Sequence, residues 1–207
     1  RTFTRPPSQG SGMSKNDVIS NVDLTGDHYT VVQSLIRNKY RAEDGNGNVV
    51  LRGKQKMFKM KEEFPFETGD GEPAFTVKAG GILDIAGDYT ILDEPGEEAV
   101  VTLDHKWTLL VDHWKIRDPE TEELLAEITS KNKAVEILRH VPYVAIVAGM
   151  IPHKYEITDA DGDHVGSIDG QFGLKDRYEI TIDGDVSGVP KEAIVAAAMV
   201  IDAIEGN

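Results

Sequence analysis

No cysteine occurs in the 207 residues. Disulfides, thiolate catalysis and sulfur-ligated metals are therefore excluded, and a reducing, cytoplasmic setting is favoured. Basic residues are scarce: 22 Lys and Arg stand against 36 Asp and Glu, a formal net charge of −14. An acidic surface repels phosphodiester chains, which argues against nucleic acid as a partner. No apolar run reaches the roughly 20 residues that a membrane-spanning helix needs. No signal-peptide pattern and no Asn-x-Ser/Thr sequon is present. Residues 1–12 (RTFTRPPSQGSG) read as a tail outside the fold, and residues 13–207 as a single domain.

What is present is most distinctive near the end of the chain. Pro190-Lys191-Glu192 opens a segment that is then apolar on every side, from Ala193 to Ile201. A helix without a polar face must be surrounded. From about 190 to 204 it would span roughly 22 Å at 1.5 Å per residue, too short for a bilayer, and Asp202 interrupts it. It reads as a core helix rather than a membrane anchor.

Upstream, one weak unit recurs. An aromatic opens a short alternating strand, a turn cluster follows, and a second apolar strand returns. The openers are Tyr40, Phe64, Tyr89, Trp114, Tyr155 and Tyr178, the first four 24 or 25 residues apart. Asp44, Asp93, Asp118 and Asp159 lie four residues after an opener; Gly47, Gly71, Gly96 and Gly162 lie three further on. Aspartate accepts hydrogen bonds from its own turn backbone and glycine supplies positive φ, so each unit predicts a hairpin. Return strands are expected near Val49, Ala74, Ala99, Leu124 and Val165. In Tyr178-Glu179-Ile180-Thr181-Ile182 apolar and polar residues alternate, so one face is wet. Residues 27–39 predict a further strand or a short helix. The apolar run Val141–Ile151 predicts strands buried on both faces, bent at Pro142 and Gly149, with an interfacial membrane segment as the alternative.

About a dozen antiparallel strands and one all-apolar helix must share one core. An open sheet would leave half of the helix wet. Closing the sheet around the helix buries it on every side and removes exposed edges. The expected fold is mainly β: a closed antiparallel barrel of about 12 strands enclosing a hydrophobic C-terminal helix. With no edge strand to pair, a monomer is expected.

Three stretches carry a resemblance: Lys54-Gln55-Lys56-Met57-Phe58-Lys59-Met60-Lys61 leading into Phe64, the Tyr89–Gly96 hairpin, and Tyr178–Ile182 followed by the Val195–Ile204 helix with Asp202. Over roughly residues 39–204 the chain resembles the LURP-one-related family, within the Tubby-like superfamily that also holds the phospholipid scramblases. The resemblance implies a 12-stranded barrel around a central helix. It also implies a link to phosphoinositide head groups and membrane tethering, as in Tubby-like domains, although LURP-one-related proteins have no established biochemical activity. The chain lacks the Pro-rich amino-terminal region, the cysteine run and the acidic calcium loop of scramblases, which argues against scramblase activity.

Chemistry-bearing patterns are few. Between Arg37 and Lys61 eight basic residues stand against two acidic ones, an island in an acidic chain. Alternation puts Arg52, Lys54 and Lys56 on one strand face. Arg52, Lys54, Lys56, Lys59 and Lys61 are the candidate ligand-binding residues, for an anion or phospholipid head group; the competing reading is lysine that protects and solubilises sheet edges. Asp159, Asp161 and Asp163 have calcium-loop spacing, but the glycine comes one position early and no closing Glu follows, so a turn explains them. The six histidines, His105 and His113 among them, show no i, i+4 pair, and no nucleophile elbow, P-loop or GxGxxG occurs. The expectation is a non-enzymatic protein without cofactor or metal. It would act as an anionic-ligand or head-group binding module, peripheral at a membrane where lipid is the ligand, or alternatively as a protein-interaction scaffold.

Overall fold

In the computed structural model the described residues are 19–34, 39–54, 63–80, 88–94, 98–107, 112–131, 154–171, 177–183 and 188–205. They form twelve strands and one helix. The first four strands are β1 (His28–Ser34), β2 (Lys39–Asp44), β3 (Val49–Lys54) and β4 (Glu63–Thr68). Next come β5 (Pro73–Ala79), β6 (Tyr89–Asp93), β7 (Glu98–Trp107) and β8 (Asp112–Arg117). The last are β9 (Leu124–Ser130), β10 (Lys154–Asp159), β11 (His164–Gln171) and β12 (Arg177–Ile182), followed by helix α1 (Lys191–Glu205). Each strand pairs antiparallel with its sequence neighbours, and β12 pairs with β1, closing the barrel. Of residues 27–39, His28–Ser34 form strand, not helix, and 35–38 lie outside the described residues. The Val141–Ile151 run, Lys56, Lys59, Lys61 and the 1–12 tail lie outside the described residues.

Alternation decides which side chains face inward. Val31, Ala42, Leu51, Phe66, Val77, Ile91, Val101, Ile116, Ile128, Ile157 and Ile180 are all buried to within 1%. At Gly53 a Cβ would come within 2.6 Å of the Phe66 ring, so the missing side chain is what admits that ring. Phe66 in turn stacks on Phe75 at 4.5 Å. Within this wall, α1 is buried all round: every side chain from Glu192 to Ile201 is at most 6% exposed. The Pro190 carbonyl accepts from Ala193 and Ile194 to start the helix. Glu192 sits in the first turn, where a carboxylate suits the helix dipole, and accepts from the Leu24 amide at 3.1 Å.

The described turns follow the chemistry expected of them, with one exception; Gly96 lies outside the described residues. Asp44 accepts from the amides of Asn46 and Asn48, Asp118 from Glu120 and Thr121, and Asp159 from Asp161 and Asp163. Gly47, Gly71 and Gly162 take φ of 82°, 92° and 87°. Bonds from Asn48 hold the Asp44 carboxyl below its usual range. Asp93 behaves differently: it accepts from the Ser20 hydroxyl and amide, tying the segment before β1 across the barrel end. Asp159→Ala should lower unfolding free energy by about 1 kcal/mol, since two turn amides lose their acceptor. A reduced urea midpoint at unchanged slope would show it.

The meander gives the barrel two unlike rims. One, the turn rim, carries the hairpin turns of β2–β3, β4–β5, β6–β7, β8–β9 and β10–β11 and the start of α1. The other, the opening rim, carries the first residues of the even-numbered strands. All six aromatic openers face inward there, one on each even strand, and five are at most 9% exposed; Tyr89 is half-buried. The recurring aromatic is therefore a belt around one end of the enclosed core.

Candidate anion-binding face

The register places the basic residues more tellingly than their order in the chain. Along the outward-facing set, Arg177 of β12 lies opposite Val32 of β1, which is itself buried, Val32 opposite Arg41 of β2, and Arg41 opposite Arg52 of β3. One step towards the opening rim, the backbone positions of Lys39 and Lys54 are paired in the same outward set. Adjacent strands are about 4.8 Å apart, so Arg41 and Arg52 are neighbours and Arg177 is about 10 Å from Arg41. Like charges directly across a strand pair are destabilising. Arg41 with Arg52 is such a pair, and the Lys39 and Lys54 backbone positions are paired two residues along the same ladder.

Most other described cations are handled differently. Lys78 pairs with Glu63 at 3.1 Å, Lys115 with Glu127 at 3.0 Å, Arg117 with Asp104 at 2.8 Å and Lys154 with Asp169 at 2.6 Å. Lys131 bonds Glu156 at 3.0 Å and holds that carboxyl below the usual range; Lys191 does the same for Asp27. On the basic face, Arg41 is matched by Glu43 at 2.5 Å. Arg52 and Arg177 are exposed, and neither makes an ion pair with a described residue, although Arg52 has Glu67 opposite on its other side. These two guanidiniums are available to an external anion, which planar, multi-donor groups bind well.

Of the residues expected from sequence to bind, Arg52 is exposed on this face and Lys54 occupies a position in its outward set. Lys56, Lys59 and Lys61 lie outside the described residues. Arg177 was not visible as a candidate, because nothing near it in the chain is basic enough to signal it; barrel closure brings it to the island.

The concavities nearby are poor anion pockets. A groove of about 380 Å³ runs from Arg177 towards the turn rim past Glu43, Asp44 and Glu179. A second, of about 210 Å³, is lined by Asp23, Asp27 and Asp44. Their carboxylates would repel an anion, so the exposed arginine rung is the better site. Elsewhere, His164 sits between Glu156 and Asp183, each at 3.1 Å, on the exposed surface. His105 stacks on Trp114 with ring centroids 4.0 Å apart. Among the described residues no group of three or more His, Asp or Glu is placed to hold a metal ion. The Asp159 cluster serves its turn. No described helix is long and apolar enough to cross a membrane.

The architecture defines a class: a closed twelve-stranded meander barrel filled by one apolar C-terminal helix. The sequence matches the LURP-one-related family over residues 49–202, and the chain belongs to that family. A protein from Arabidopsis thaliana, solved by X-ray crystallography, superposes with a TM-score of 0.50 at 10% identity, covering 86% of this chain and 91% of that one. At that identity the likeness is one of fold alone. No curated protein matches the chain.

Proposed function

We propose that this LURP-one-related barrel is a non-catalytic binding module for anionic ligands, with phospholipid head groups as the principal class, acting peripherally at a membrane surface. The observation that supports this is the register that sets Arg41 opposite Arg52, with the backbone positions of Lys39 and Lys54 paired beside them, extended by Arg177. Two exposed guanidiniums, Arg52 and Arg177, make no ion pair with a described residue in a chain of −14. Anionic groups beside them would be attracted, at about 1 kcal/mol per basic residue near a charged surface. The helix-filled interior leaves the outer surface as the place where a ligand is met.

The test compares co-sedimentation with vesicles of phosphatidylcholine alone and with added phosphatidylserine. The wild-type protein should prefer the anionic vesicles. The double variant Arg52→Glu with Arg177→Glu should bind them at least tenfold more weakly. The triple variant Lys54→Glu, Lys56→Glu and Lys59→Glu asks the same of the island first seen in sequence. Equal partitioning on both vesicle types before and after substitution would remove the reading and leave the protein-interaction scaffold in its place.

A further inference from the structure

The groove of about 380 Å³ follows the seam where β1 lies between β12 and β2. Its two walls carry the same pattern in the same direction: Arg177-Tyr178-Glu179 on β12 and Arg41-Ala42-Glu43 on β2. Both strands run antiparallel to β1, so the two arginines stand level with Val32 and the two glutamates level with Thr30. Short side chains on β1 between long ones on its neighbours make the seam concave. Val32 is buried there and Thr30 half-buried. The walls differ in one respect. Arg41 closes on Glu43 at 2.5 Å, so this spacing lets the two groups meet. Arg177 and Glu179 have the same spacing, yet both are exposed and neither makes an ion pair with a described residue. One wall is self-neutralised, and the other holds an open plus-and-minus pair facing the groove.

We propose that this groove binds a phosphate ester that also carries a primary ammonium, with the phosphate on Arg177 and the ammonium among Glu179, Glu43 and Thr30. This rests on the anionic-ligand reading above and names the chemistry of the ligand. The acids that make the groove poor for a bare anion are the reason it suits a zwitterion. Glu179 and Glu43 each stand one strand, about 4.8 Å, from Thr30, and all three line the groove. An ammonium offers three N–H donors and no acceptor, which matches two carboxylates and one hydroxyl. Arg177 is two residues from Glu179, about 7 Å along the strand. That is within reach of a phosphate and an ammonium joined by a two-carbon bridge. A quaternary ammonium has no N–H to donate and a glycerol head group has no cation, so both leave the acids unmatched. The recognised group is the same in an aminophospholipid head group and in a free phosphoamine.

Phosphatidylcholine vesicles with equal fractions of phosphatidylserine or phosphatidylglycerol carry the same net charge, but only the first present a primary ammonium. The wild-type protein should co-sediment with the phosphatidylserine vesicles about tenfold more strongly, the scale of one charge-assisted hydrogen bond. Glu179→Gln, a near-isosteric change at an exposed position, should bring the two vesicle types close together, and Thr30→Val should narrow the gap. Calorimetric titration without vesicles compares soluble phosphoethanolamine with glycerol phosphate. A preference for the ammonium-bearing member that Glu179→Gln erases supports the proposal, and the format in which it is seen names the source, lipid or free ligand. If both anionic vesicles bind equally, each better than phosphatidylcholine alone, and the soluble pair shows no preference, the groove is overturned while the arginine face stands. If no anionic vesicle or soluble ligand is preferred, both fall. A phosphatidylserine preference that survives in Glu179→Gln overturns the placement of the ammonium.

Discussion

Ala197→Asp should leave the protein unable to hold its native fold. Ala197 lies at the middle of α1, fully buried, with Ile194, Val195 and Val200 on its flanks also at 0% exposure. An aspartate there has no cation and no described polar partner to meet. It would be buried charged, or buried protonated with its hydroxyl and carbonyl unsatisfied. Either state costs several kcal/mol, plus the strain of fitting a larger side chain into a packed interior. Total stability of a domain is only about 5–15 kcal/mol, so one such change removes a large share of it. The expected result is loss of the cooperative thermal transition in circular dichroism. A folded product with an unaltered melting temperature would contradict burial of the helix.

Trp114→Ala carries the second largest effect. Trp114 is fully buried, belongs to the aromatic belt of the opening rim, stacks on His105 and lies 5.9 Å from Tyr89. Truncation leaves a void the size of an indole that a closed barrel cannot collapse to fill, at a cost of about 3–5 kcal/mol. Trp114→Phe separates packing from polarity. The buried indole N–H has no hydrogen-bond partner among the described residues, so phenylalanine forfeits volume but no described hydrogen bond. It should cost clearly less than alanine by urea denaturation. Equal losses for the two variants would mean that the indole N–H, not the ring volume, holds the site.

Much of this architecture was legible in the chain. The alternation in Tyr178–Ile182, the Asp-to-Gly spacing of the Asp44 and Asp159 turns, and the position of Asp118 are local devices. Their geometry follows from neighbours a few residues away. The helix was legible for a different reason, since an all-apolar segment has to be enclosed whatever encloses it. Asp93 shows where local logic stops. It has the spacing of a turn aspartate, yet its partner is Ser20, far away in sequence, because barrel closure carries the amino-terminal segment across the same end. The basic face is the same kind of case. The island around Arg52 could be counted along the chain. That Arg41 and Arg52 stand side by side depends on the β2–β3 register, and that Arg177 joins them depends on the β1–β12 seam.

The order of residues dictated the strands, their turns, the rod of apolar helix and, through the need to bury that rod, a closed wall around it. These are consequences of backbone hydrogen bonding and of hydrophobic burial, which act on composition and spacing. Folding in three dimensions settled which charges share a surface: arginines from opposite ends of the chain form one rung. Electrostatic energy depends on separation in space, and a closed meander makes neighbours of residues that no count along the chain can bring together.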